Sequence, residues 1–237
     1  MNRSDIAPMT PRRRARGFSL VVVMVAVLLC SLLTMAGLRG ARLSEQSAGS
    51  DSDHQRAREA AHALLRDAEA DIRGLGPDGA PCRVGCRPDG PIDIDAGQVS
   101  YPSNLAEWQD LRASLGARRP SCAAGICVPD RVSPGFWADR EALDRMKKVA
   151  AAYGAHTGAY SEVDTPLLAA EPRQRAWYWV ELLPYDMASA FEGGAGGAFA
   201  PDDQTPFIYR ITAVAQGLRR GTQAVLQTTV VWKREPS

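Results

Sequence analysis

FSLVVVMVAVLLCSLLTMAGL, residues 18–38, runs for 21 residues without a charged side chain and decides how the chain is built. At about 1.5 Å rise per residue a helix of this length reaches roughly 31 Å, the thickness of the hydrocarbon core of a bilayer. A secretory signal peptide would carry a shorter apolar region, about 7 to 15 residues, ahead of a small-x-small cleavage site. Thr34-Met35-Ala36 only imitates such a site. The length therefore predicts a membrane-spanning helix over 18–38. Arg3, Arg12, Arg13, Arg14 and Arg16 precede it with Asp5 as the one acidic residue among them, and Arg39 and Arg42 follow. The more positive end is expected to stay in the cytoplasm, which puts the bulk of the chain outside the inner membrane.

The remainder is large enough for one domain. Of 237 residues, 45% are apolar and 23% charged, which suits a modest globular unit with an appended segment. Loss of residues 1–17 would remove five basic groups and one acidic group, taking the formal charge from +1 to −3. No long basic stripe remains of the kind that tracks a nucleic-acid backbone, so no nucleic-acid partner is expected.

The junction Arg16-Gly17-Phe18-Ser19-Leu20 ends the basic leader in Gly and opens the apolar run with Phe. Gly lets a protease grip an extended backbone. The arrangement resembles the class III signal of type IV prepilins and type II secretion pseudopilins. That resemblance implies a membrane aspartyl protease that cuts between Gly17 and Phe18 and methylates the new amino group of Phe18. Gly37-Leu38-Arg39, Leu43 through Gly49 and Arg56 through Glu69 extend the likeness over about 17–73 to the N-terminal region of PilX-type minor pilins, and Gln223-Ala224-Val225-Leu226-Gln227-Thr228-Thr229 is similar to that family's last strand. The middle of the chain carries no resemblance. Major pilins of this class hold a Glu at the fifth residue after the cut, where it meets the neighbouring subunit's amino terminus; Val22 stands there instead. The missing carboxylate suits a subunit at the filament tip, with none above it.

The resemblance implies a minor pilin that primes or assembles a type IV pilus, with Val22, Leu28 and Leu32 on the helix that enters the filament core. Its implied partners are other minor and major pilins, the prepilin peptidase and the inner-membrane assembly platform. The protein would sit in the inner membrane before assembly and on the pilus afterwards. A minor pseudopilin of type II secretion shares the same chemistry. A single-pass periplasmic enzyme or binding protein with an uncleaved anchor is the alternative from another class.

Beyond the apolar run, Ala57, Ala60, Ala61, Leu64, Leu65, Ala68 and Ile72 recur at three- and four-residue steps and draw one stripe along a second helical stretch. Arg, Glu and Asp are assigned to its outer face. Residues 47–53 are poor helix formers, and Ser52 with Gln55 could cap a restart, so a kink or break is expected there. The helix should end at Gly74-Leu75-Gly76-Pro77-Asp78-Gly79. These glycines spell GxGxxG, but they follow a helix, whereas a dinucleotide fingerprint follows a strand. The division is thus a leader over 1–17, a pilin-like helix over 18–73 and a globular domain over 74–237.

That domain reads as α+β: a long N-terminal helix packed on a domain with an antiparallel sheet. Asn104 caps a helix whose Leu105, Trp108, Leu111 and Leu115 share a face. A second helix is predicted from Phe136 to Tyr153, opened by Ser133-Pro134 and stopped by Gly154. Strands are expected over 177–183 and 207–216, with a turn at Gly217–Gly221 leading into a hairpin partner over 222–232. Trp177, Tyr178 and Trp179 are assigned to the core rather than to a sugar platform. The connection 184–206, with Gly193, Gly194, Gly196 and Gly197, reads as a long loop with no Lys-Ser/Thr after it to hold phosphate.

Cys30 lies in the apolar run, which leaves Cys82, Cys86, Cys122 and Cys127 as an even set outside the membrane. An oxidising compartment makes disulfides the expected state, in any of three connectivities. The local pairs Cys82–Cys86 and Cys122–Cys127 are favoured over the crossed ones. A four-cysteine zinc site is the rival, with spacings unlike the usual paired x2. Catalytic signatures are lacking: His54, His62 and His156 have no HExxH spacing, and there is no GxSxG elbow. Asp93 with Asp95 and Asp202 with Asp203 read as solvated loop carboxylates, calcium being the alternative. No cofactor and no resident metal are expected.

Overall fold

The computed structural model describes residues 18–159, 166–170, 172–185, 200–201 and 206–232. The chain forms two compact units, Met1–Gly49 and Ser50–Ser237. Helix α1 (Phe18–Arg73) supplies the described part of the first unit and the opening element of the second.

The expected break at 47–53 is absent, and α1 is helical through Ser52. Ser and Asp cost a helix at most about 0.7 kcal/mol each relative to Ala, a penalty that tertiary contacts override. Gln55, assigned to a capping box, instead donates from Nε2 to Glu59 Oε1 at 3.2 Å along the helix. The C-terminus follows from Gly74. With φ +65°, Gly74 adopts the left-handed conformation, its N–H reaching the Asp71 carbonyl at 3.1 Å while Leu75 N–H reaches that of Ala70 at 2.9 Å. These are the two bonds of a Schellman motif, so the GxGxxG string is a helix stop.

One sheet organises the second unit. Its strands β1 (Cys122–Ala123), β2 (Ile126–Cys127), β3 (Ala176–Pro184), β4 (Phe207–Gln216) and β5 (Gln223–Val231) lie in sequence order. All neighbours are antiparallel except β2 and β3, which run parallel with Ile126 opposite Val180. The β4–β5 hairpin pairs Ile208 with Val231 and Gln216 with Gln223.

Alternation along β3 explains why it is apolar except for Glu181, which is buried and held by Arg210 at 2.7 and 2.8 Å. Ala176, Tyr178, Val180 and Leu182 join the core made with Ala57, Ala60, Ala61, Leu64, Ala68 and Ile72 of α1. Trp177 and Trp179 point the other way, into a second cluster with Phe136, Leu143, Met146 and the Cys122–Cys127 bridge. A strand buried on both faces has no polar side to show.

Helix α2 (Leu105–Gly116) starts where Asn104 accepts the amides of Ala106 and Glu107, both at 3.0 Å. Trp108, Leu111 and Leu115 are buried, but Leu105, assigned to the same face, is exposed, because it lies in the first turn beyond the packed surface. The helix expected over 136–153 is also shorter. A 3-10 turn, Phe136–Ala138, precedes α3 (Arg140–Lys147), whose N-cap is Asp139. The backbone cannot continue as helix to Tyr153, because Ala151 exchanges N–H and C=O bonds with Tyr178 at 3.0 and 2.9 Å.

Candidate functional site

The residues assigned to filament packing lie on the first stretch of α1. Leu20 through Met35 are exposed around the whole circumference, including Val22, Leu28 and Leu32 at 53%, 62% and 56% accessibility. A helix apolar on all sides is stable only when surrounded by lipid or by other apolar helices. Its two described hydroxyls fit such surroundings. Ser31 Oγ donates to the Val27 carbonyl at 2.8 Å, and Thr34 Oγ1 lies 3.0 Å from the Cys30 carbonyl and 2.9 Å from that of Ser31. Their polarity is satisfied within the helix, which an apolar medium requires. Phe18 is the first residue of α1, while Gly17 lies outside the described residues, and the side chains described in the run are those of 20–35. Among the described residues, no helix is long and apolar enough to cross a membrane.

The later part of α1 is fastened to the domain by carboxylates. Asp53, Asp67 and Asp71 were assigned to an outer face, yet all three are buried, because their positions fall on the same helical stripe as Ala57, Ala60, Leu64 and Ala68. Asp53 accepts the amides of Leu218 and Arg219 at 3.0 and 2.9 Å and so holds the β4–β5 turn. Burial alone would raise its pKa; these amide bonds, with help from Thr222 and the charge of Arg219, bring it below the usual range. Asp67 accepts the hydroxyl of Thr157 and, at 2.8 Å, the amide of Gly154. Burial dominates there, and its pKa is raised.

Asp71 is the deepest anchor. Arg87 grips it through Nε at 2.7 Å and a terminal nitrogen at 2.7 Å, and the hydroxyls of Tyr101 and Tyr178 reach it at 3.0 and 2.9 Å. Arg87 also donates to the carbonyls of Val99 and Ala124, each at 3.1 Å, and stacks over the Tyr101 ring. Burial pushes both tyrosines well above their usual pKa. Every element around this cluster is thereby tied to one helical turn: the loop after Cys86, the segment before α2, the β1–β2 turn and β3.

The remaining candidates take structural places. Cys82 is bridged to Cys86 and Cys122 to Cys127, with Cα separations of 5.8 and 4.1 Å, and Cys30 is free and exposed. Asp93 Oδ1 accepts the amides of Asp95 and Ala96, both at 3.0 Å, and Asp95 pairs with Arg118, so these carboxylates order their own loop. Asp202, Asp203 and the glycines of 193–197 lie outside the described residues. His54 and His62 line a groove beside β5, whereas His156 is half-buried near Arg87. Among the described residues, no group of three or more His, Cys, Asp or Glu could hold a metal ion.

Comparison with known families gives two matches. The family described as type IV pilus assembly protein PilX C-term matches residues 91–232, and PilX N-terminal matches residues 16–65. The first covers more than half of the chain, including the middle in which no resemblance had been drawn. No curated protein and no solved structure gives a match.

Proposed function

We propose, from the premise that the chain belongs to the PilX family of type IV pilus assembly proteins, that this minor pilin joins a priming complex in the inner membrane and enters the pilus at or near its tip. The observation that carries the reading is the division of labour along α1. Leu20–Met35 offer an uncharged, exposed surface with internally satisfied hydroxyls, while residues 53–72 are locked to a domain by three buried carboxylates. Such a helix is a handle for other helices.

Before assembly the apolar run of 18–38 sits in the inner membrane with the domain on the periplasmic side. Moving it out of lipid into water would cost on the order of tens of kcal/mol at about 25 cal/mol per Å² of apolar surface. It therefore leaves the bilayer only by packing against the helices of other minor and major pilins, on the assembly platform. Val22, in place of the carboxylate that pairs with a neighbour's amino terminus, supports a position with no subunit above.

Sheared filaments are the test. They should contain the protein in trace amounts relative to the major subunit, and a strain lacking it should assemble few pili. A deletion strain with pili of normal number and function would overturn the assembly role.

A further inference from the structure

A cleft of about 620 Å³ opens between α3 and the β4–β5 turn. Arg140 and Lys147 enter its lining from α3, Arg175 from the foot of β3, and Arg219 and Arg220 from the turn; the lining carboxylate is Asp144. Arg140, Asp144 and Lys147 share one face of α3 at steps of four and three, and the two turn arginines are adjacent in sequence.

Two of these cations, Lys147 and Arg175, stand on fixed supports. Lys147 Nζ lies 3.0 Å from Asp144 Oδ1, 3.3 Å from Gln216 Oε1 and 4.6 Å from the centre of the Trp177 ring. Arg175 donates to the Gly217 carbonyl at 2.9 Å, and Asp53 pins the turn from beneath through the amides of Leu218 and Arg219. Arg140 and Arg220 project into solvent at the rim. Asp144 is held below its ordinary range by its hydrogen bond to Lys147 first and then by the charges of Lys147, Arg140 and Lys148.

We infer that this cleft docks a short acidic peptide segment, a few carboxylates long, of a neighbouring protein. That the neighbour is another pilus subunit rests on the function proposed above. Lys147 is paired with Asp144, so the positive charge offered to a ligand comes from the arginines of the cleft, and guanidinium groups fit carboxylates two bonds at a time. A nucleic-acid backbone would need a basic track continuing past the cleft. The chain beyond residue 17 is instead formally −3, and Asp144 would face the phosphates.

The test uses the full chain in neutral detergent micelles, titrated by calorimetry with hexaglutamate and, separately, with a hexathymidylate of similar charge. Hexaglutamate should bind the wild type saturably, with an affinity that falls as salt rises. The Arg140→Ser, Arg220→Ser double variant should weaken it at least tenfold while leaving the urea midpoint unchanged, since both side chains are exposed. Any binding to the leader arginines is common to both proteins and cancels in the comparison. Absence of peptide binding, equal binding by the variant, or tighter binding of the oligonucleotide would each overturn the inference. None of these readouts requires a pilus, so failure of the assembly role in cells and failure of this site are separate results.

Discussion

Asp71 and His156 carry consequences that a single substitution or a change of pH can read. Asp71 is fully buried and receives bonds from Arg87, Tyr101 and Tyr178. Removing one partner of such a pair leaves a buried charge uncompensated, which typically costs about 3 to 5 kcal/mol. Asp71→Ala should lower stability by that order in urea unfolding, whereas Tyr101→Phe should cost about 1 kcal/mol, one hydrogen bond's worth. His156 gives the fold one pH-dependent contribution. Burial, and then the charge of Arg87, push its pKa down from the usual 6.5 to about 4, against the opposing pull of Asp71. An unfolded chain therefore takes up the proton first. The associated stability is complete above pH 6.5 and is lost as pH falls towards 4. Asp67, raised by burial, contributes in the opposite sense, losing stability as pH rises through its folded value. His156→Gln should flatten the fall in urea midpoint between pH 6.5 and 4, and an unchanged slope would remove His156 as its source. The carboxylate anchors were legible only in part. The helical period places Asp53, Asp67 and Asp71 on the apolar stripe, but residue type argued for the outer face. The partners that reverse this, Arg87, Thr157 and the amides of 218 and 219, come from elements that no local pattern links to the helix.

Between elements, the contact most exposed to test is the seat of the β4–β5 turn on α1. A Cβ at Gly217 would collide with the Asp53 carboxylate and the Thr222 side chain. Gly217→Ala should therefore cost roughly 1 to 3 kcal/mol, the usual penalty of overpacking. Asp53→Ala removes the acceptor of two turn amides, and because both changes strike one contact the double variant should cost less than the sum of the two. Additive losses in a double-mutant cycle would show that the Gly217 penalty does not act through Asp53. The bridges give a second measurement at this scale: intact-mass analysis without reductant should find two disulfides, no bound zinc and one alkylatable thiol, Cys30. Stoichiometric zinc with four free thiols would contradict it. The hairpin was readable because β4 and β5 are long, β-branched and joined by a glycine turn. By contrast, β1 and β2 have two residues each, too few for any periodicity, and the parallel seat of β2 on β3 depends on a connection that no propensity encodes. The helix expected over 136–153 outruns α3 for a similar reason, since the claim of Tyr178 on the Ala151 backbone is a tertiary fact.

For the whole molecule the decisive step of the proposed route is removal of the leader. Cleavage between Gly17 and Phe18 would leave 220 of 237 residues, with a methylated Phe18 at the amino terminus of α1. On the proposed route the arginines ahead of Gly17 would keep the junction at the cytoplasmic face of the membrane, where a peptidase could reach it. A branched side chain at position 17 obstructs an extended backbone that Gly leaves open, so Gly17→Val should retain the leader. Five arginines would then precede a helix whose described surface from Leu20 to Met35 carries no charge. Entry into a bundle of pilin helices would force those charges into an apolar interior, at a cost that each desolvated cation raises further. The variant should therefore accumulate in the inner membrane and be missing from sheared filaments, although its domain, anchored through Asp53, Asp67 and Asp71, folds as before. Amino-terminal sequencing of the wild-type protein decides between this course and an uncleaved anchor. Phe18 as the first residue, carrying a methyl group, is the expected result; an intact leader, or any other first residue, would sink the processing step and with it the route into the filament.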